Sequence, residues 1–162
     1  MNLILVSRCL LGEPVRYDAS PKTLEHPLLN RWRDEQRLVP ICPELAGGLP
    51  CPRPAAEVAQ GRGDRVIDGQ ASVLCRDGSD VTDAFIAGAE IALAQCRRQQ
   101  IRFALLKARS PSCGSQDGYD GSFSGTLAEQ GVGVTAALLS RHGIKVFDES
   151  QLEQLAAELD RD

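Results

Sequence analysis

The sequence has no CxxC pair, no CxxCH and only two histidines. The common zinc-finger spacings are therefore absent, and any metal site must be assembled in three dimensions. Long apolar runs are missing too. The longest, such as Leu3-Ile4-Leu5-Val6, fall far short of the roughly 20 residues a spanning helix needs. Met1-Asn2 leads straight into that run without a basic n-region, and a secreted disulfide scaffold is normally shorter, so a cytoplasmic protein is expected. No block of like charge occurs. The 18 Lys and Arg against 22 Asp and Glu give a net charge of -4, which selects neither a nucleic-acid polymer nor an anionic membrane as partner. Repeats, low-complexity tracts and linkers are also missing, so the expectation is one domain over residues 1–162. With 43% hydrophobic and 25% charged residues an ordinary core can form, which excludes disordered and fibrous classes. Nothing in the pattern sets the oligomeric state.

What is present is an alternation of short apolar runs and amphipathic segments. Leu3–Val6, 38–41, 103–106 and 144–147 read as strands, the first and third as buried ones. Residues 21–37 have helical spacing interrupted at His26-Pro27, and 81–99 carries the stripe Phe85, Ile86, Ala89, Leu93 and Cys96 behind Asp80 as N-cap. Residues 133–142 form a helix ended by Gly143, and 150–159 a closing helix with Ser150 and Glu153 as a capping box. Residues 65–67 and 73–74 are expected to pair as a rim hairpin, and 43–55 reads as a shaped, proline-rich loop. The alternation predicts an α/β fold: a Rossmann-like three-layer sandwich with a mainly parallel sheet plus that small rim hairpin. Ligands bind outside the carboxyl ends of such strands.

The six cysteines fall unevenly on this scheme. Cys9 follows the first strand, Cys42 the second, and Cys113 comes a short loop after the third. Three separate connections thus deliver a thiol to one edge of the sheet, where neighbouring strands stand about 4.8 Å apart, and three thiolates there can share a metal centre. The alternative is that each is a small buried hydrophobe. Cys96 lies on an apolar helix stripe and Cys75 ends a rim strand, both packing positions, while Cys51 lies in the proline-rich loop.

The motifs around these thiols are specific. They are Ser7-Arg8-Cys9-Leu10-Leu11-Gly12, Val15-Arg16-Tyr17-Asp18, Cys42-Pro43-Glu44, Gly47-Gly48-Leu49-Pro50, Pro52-Arg53-Pro54, Asp80-Val81-Thr82 and Leu106-Lys107. Ser110-Pro111-Ser112-Cys113-Gly114, Tyr119-Asp120-Gly121 and Phe123 follow. In this order, over nearly the whole chain, they resemble the small 2-thiouracil desulfidase family. The resemblance implies a [4Fe-4S] cluster on Cys9, Cys42 and Cys113, with one iron open to the sulfur of a small thiolated pyrimidine or similar thioamide. It implies Glu44 and Ser110 as catalytic residues. The chain departs from the family pattern at Cys51, where threonine is more frequent, and this puts a fourth thiol near the site.

Three thiolates leave one coordination position open to a soft donor, so the expected activity is a non-redox, hydrolytic desulfidation with the iron as Lewis acid. Glu44 would manage the proton of the attacking water and Ser110 would orient base or water. Ser112, Arg16, Tyr17 and Lys107 are the expected substrate-binding residues. For Arg16, Tyr17, Lys107, Arg53 and Glu57 the alternative is loop-ordering pairs, and for Ser110 and Ser112 it is turn formation. Asp80 and Thr82 read as helix caps, His26 as the helix-breaking neighbour of Pro27 and His142 as a cation at a helix end. The competing functional class is a non-catalytic iron-sulfur sensor or sulfur-trafficking protein.

Overall fold

The apolar runs become strands in the computed structural model, which describes residues 1–161. In chain order the elements are β1 (Ile4–Ser7), α1 (Pro27–Asp34), β2 (Leu38–Ile41), α2 (Pro43–Ala46), β3 (Ala56–Val58), α3 (Gly63–Ile67), β4 (Val73–Cys75), α4 (Thr82–Gln99), β5 (Phe103–Leu105), α5 (Val134–Arg141), β6 (Lys145–Phe147) and α6 (Leu152–Arg161). Short 3-10 turns cover Arg8–Leu11 and Ala59–Gly61.

Four strands form a parallel sheet in the order β2-β1-β5-β6. Strand side chains alternate between faces, and this separates two cores. Leu5, Ala104 and Ile41 pack with Phe85, Ala89, Leu93 and Leu139 of α4 and α5. Ile4, Val6, Phe103 and Leu105 pack with Leu29 and Trp32 of α1 and with Leu152, Leu155 and Leu159 of α6. Helices on both faces make β1 inaccessible on either side, which is why its residues are continuously apolar. The predicted three-layer, mainly parallel α/β sandwich is the observed architecture. Among the described residues no helix is long and apolar enough to cross a membrane.

Three local expectations are corrected. Residues 65–67 are not the hairpin partner of β4. They belong to α3, where Gly63 N–H donates to Val132 O at 2.8 Å and Val66 is buried. With that segment docked beside α5, β4 takes its antiparallel partner from β3, at the end of the proline-rich loop. The helix expected from residue 21 begins only at Pro27, with His26 Nδ1 accepting Leu28 N–H at 3.1 Å, since proline suits the first helical position and pushes its predecessor out of helical geometry. Ser150 does not form the capping box. Its hydroxyl and N–H both donate to Oδ1 of buried Asp148, at 2.5 and 2.9 Å, and α6 starts two residues later.

One contact sets the position of the short α2. Gly47 of its C-terminus lies against Ala84 O, and Gly88 of α4 lies against Pro43 O, both so close that a Cβ at either glycine would collide with backbone. Helix α4 therefore braces the Cys42-Pro43-Glu44 turn directly, backbone against backbone.

Candidate active site

The carboxyl ends of β1, β2 and β5 open on a cavity of about 550 Å³, within the range of small-molecule sites. Cys9 reaches it from the 3-10 turn after β1, Cys42 as the residue capping α2, and Cys113 from the loop after β5. All six cysteines are free thiols. Burial pushes the Cys9 thiol up to about 11 and Cys113 up to about 12, and Cys42 is raised by the same cause. The three sense one another electrostatically, Cys9 and Cys113 each being raised further by Cys42. These thiols keep their protons until a metal displaces them.

Ser7, the last residue of β1, ties this edge together. Buried at 3% exposure, its Oγ accepts Lys107 N–H at 2.9 Å and donates to Cys113 Sγ at 3.5 Å. Ser110 Oγ accepts the N–H groups of Ser112 and Cys113 at 3.2 and 3.1 Å, so it shapes the turn that delivers Cys113. Both acceptor contacts leave its own proton unassigned, and Ser110 lines the cavity. Ser112 does not line it. Its side chain is buried, Oγ shares a hydrogen bond with Thr135 Oγ1 at 2.7 Å, and its carbonyl accepts Thr135 N–H at the start of α5.

Glu44 lines the cavity from the first turn of α2 and is paired with Arg53 at 3.0 Å. Burial pushes its carboxyl above the usual range against the pull of the Arg53 guanidinium. Arg16, Tyr17 and Lys107 all line the cavity. Arg16 lies over the Tyr17 ring at 5.6 Å and donates to Ser20 Oγ, while Lys107 pairs with Glu149 at 2.8 Å. Seven arginines and lysines line the cavity against two glutamates, a cationic field inside a chain of net charge -4.

Other cysteines stay away. Cys75 and Cys96 are buried in packing positions, and exposed Cys51, not itself a lining residue, donates to the carbonyls of Pro14 and of the lining residue Arg16. His26 and His142 are likewise remote, the latter beside Arg97 at 3.0 Å. Asp80 and Thr82 do not cap α4 as expected: the N-cap is Val81, without a side-chain bond, while Asp80, one residue earlier, accepts Thr82 N–H and Thr82 Oγ1 accepts Val73 N–H, tying the helix start to β4. Among the described residues no three His, Cys, Asp or Glu side chains converge tightly enough to hold a single metal ion. A cluster is a different fit, since thiolates are its usual ligands and Cys9, Cys42 and Cys113, which line one cavity, would hold it. The donor set is thus three thiols and a surplus of cations that offsets thiolate charge.

The family profile described as 2-thiouracil desulfurase matches residues 4–151. The chain belongs to the 2-thiouracil desulfurase family. A solved structure described as the [4Fe-4S]-dependent thiouracil desulfidase TudS is 49% identical, covers 100% of both chains and superposes with a TM-score of 0.91. The uncharacterized protein YbbK of Bacillus subtilis (strain 168) is 40% identical over 153 residues, 94% of this chain and 99% of that protein. Within this desulfurase family member, the cavity also has walls that motif reading missed. Lys22 and Arg76 line it from outside the motifs, and Phe123 lies beneath Arg76, whose guanidinium is 5.4 Å from the ring centroid. Glu57 Oε1 accepts Gly121 N–H at 3.0 Å and Phe123 N–H at 3.2 Å, pinning that loop to β3. No local spacing signals these contacts, which join segments more than 40 residues apart.

Proposed function

We propose that this chain is a [4Fe-4S]-dependent desulfidase that hydrolyses the C=S group of a small thiolated pyrimidine such as 2-thiouracil, releasing sulfide and uracil. The observation that carries the reading is the convergence of Cys9, Cys42 and Cys113 with Glu44 and Ser110 on one cavity. Its support from kinship is the 49% identity, over the full chain, to a protein described as such an enzyme. The three thiols are the residues that would hold the cluster, and when bound it supplies an iron whose Lewis acidity suits a thiocarbonyl sulfur.

The chain's own residues divide the remaining work. Water adds to the carbon that bears sulfur, its oxygen becomes the carbonyl oxygen, and its two protons leave with the sulfide. Glu44 takes the first of these protons, which suits a carboxyl raised by burial and set beside the thiol edge. Ser110 orients the water or the base with the hydroxyl proton its acceptor contacts leave over. Arg16, Tyr17 and Lys107 bind the base, and the cationic lining favours the more anionic forms of a thioamide. Ser112 serves by anchoring the Cys113 turn to α5, since its hydroxyl is committed to Thr135. A cytoplasmic setting, where thiols stay reduced, is part of the reading.

Protein reconstituted anaerobically with iron and sulfide and mixed with 2-thiouracil is expected to abolish the thiocarbonyl ultraviolet band and to release one sulfide per uracil formed. Full iron loading with an unchanged band would overturn the enzyme reading in favour of an iron-sulfur sensor or sulfur carrier.

A further inference from the structure

Of the charged groups around the cavity, Arg53 is the most completely held. Its side chain is 5% exposed, and three separate contacts use its guanidinium. Nε donates to Glu44 Oε1 at 3.0 Å, Nη1 to Pro50 O at 3.2 Å and Nη2 to Val15 O at 3.1 Å. Its backbone N–H is spent on Tyr17 O at 2.6 Å. The residue is thereby fastened to the Val15–Tyr17 stretch of chain on one side and to its own proline-rich loop on the other. The pairing with Glu44 is a single bond through Nε, unlike the two-pronged bonds of Arg8 to Glu13 and Arg62 to Asp64.

This one-point attachment has a consequence for the carboxylate. Oε1 is occupied, whereas Oε2 has no hydrogen-bond partner among the described residues. Nor is Oε2 among the buried polar atoms left unsatisfied, of which Ser115 Oγ is the one instance in the described residues. Glu44 lines the cavity with its side chain 15% exposed, so the unpartnered oxygen is the one left free to meet a ligand there. Val15 O adds a second link, because it also accepts from the Cys42 thiol at 3.9 Å, so the guanidinium is anchored beside the thiol edge.

We propose that Arg53 is a positioning residue of the desulfidation: it grips one oxygen of Glu44 and so presents the other to the substrate side of the cavity. The proposal rests on the role given above to Glu44. Arg53 touches neither substrate nor reacting atoms in this scheme; it acts through Glu44. Pro43 restricts the backbone before Glu44, Gly88 backs that proline from α4, and Arg53 removes the remaining freedom at the side-chain tip. Lysine cannot replace it fully, since one ammonium does not span a carboxylate and two carbonyls in a plane as the guanidinium does.

The test is a double-mutant cycle on the reconstituted enzyme with 2-thiouracil, measuring iron content, visible absorption, kcat and KM. Arg53→Met is expected to keep iron and spectrum, leave KM within about twofold and lower kcat about 10- to 100-fold, the scale of a misplaced catalytic group. Arg53→Lys should recover part of that loss. In the Glu44→Gln background, Arg53→Met should cost no more than about a further twofold, because residues acting as one unit are non-additive. Losses that multiply in the double variant, or a rise in KM with kcat intact, would overturn the proposal, the latter by making Arg53 a substrate-binding residue. If Arg53→Met loses its iron, the cycle is run with Arg53→Lys and Arg53→Gln, and the same two results would overturn the proposal there. A Glu44→Gln variant as fast as wild type overturns the Glu44 role itself, and an inactive wild type overturns the enzyme reading. Both are readable before any Arg53 variant is made.

Discussion

The two edges of the parallel sheet are built on opposite principles. At the amino edge the connections from helix to strand are three residues long, spanning 35–37, 100–102 and 142–144. Each turns on one left-handed residue, Gln36, Gln100 or Gly143. At the carboxyl edge the connections from β1 to α1 and from β5 to α5 run over residues 8–26 and 106–133, and these, with the turn after β2, carry the three thiols. The short edge sets strand order and register, and the long edge is thereby free to hold reactive side chains on a rigid frame. Buried thiols, a raised carboxyl and a surplus of cations occur together on the second edge only.

The largest expected effect breaks the carboxyl edge alone. Single Cys9→Ser, Cys42→Ser and Cys113→Ser proteins, reconstituted without oxygen, should each lose most of their iron and visible absorption, whereas Cys75→Ser and Cys96→Ser should keep both. Iron assay and absorption spectra check this, and equal losses in all five would erase the distinction between the two sets of cysteines.

Next in size is Glu44→Gln. It should retain iron and spectrum but lower kcat on 2-thiouracil by roughly 10²–10⁴, the contribution of a positioned proton-transfer group. Loss of iron with unchanged turnover per cluster would make Glu44 a structural part of the edge.

The amino edge is probed by Gly143→Ala. A Cβ there meets nothing within 4 Å, so the φ of +83° is the sole obstacle. The backbone cost of roughly 1–2 kcal/mol for a left-handed non-glycine residue should lower Tm by about 2–8 °C, with iron content and kcat unchanged. A fall in kcat would show the two edges to be coupled.

The smallest effect belongs to the rim, outside both edges. Asp64, in the first turn of α3, is held below the usual carboxylate range by its bonds to Arg62. With the side chains 33% and 26% exposed, solvent screens the pair and its contribution to stability should be small. A depressed folded value means this stability is complete above about pH 4 and disappears as pH falls through the depressed value. Denaturation of Asp64→Asn and wild type should therefore differ at pH 7 and converge at pH 2.

Much of this molecule was determined by the sequence on its own. Apolar runs that must be buried on both faces dictated the parallel sheet, and three cysteines placed just beyond such runs had to emerge at one edge, whatever the loops did. Local chemistry also settled the start of α1 at His26-Pro27, where proline's missing N–H is no loss, and the end of α5 before Gly143. Other features were decided by tertiary structure because their causes lie far apart in the chain. Ser150 has the composition of a helix cap, but its hydroxyl goes to Asp148, which is buried and held by Gln116 from 32 residues away. Residues 65–67 have strand-like composition, yet docking beside α5 makes them helical. Ser112 sits in the right motif to bind substrate, yet Thr135, 23 residues on, takes its hydroxyl. The cationic lining is invisible in a net charge of -4, since it arises only when loops from distant parts of the chain turn their arginines and lysines toward one cavity. Spacing along a chain reports what neighbours do to one another, as Glu44 and Arg53 nine residues apart show, whereas the partners of Cys113 and Phe123 are chosen by which loops the packed sheet brings together.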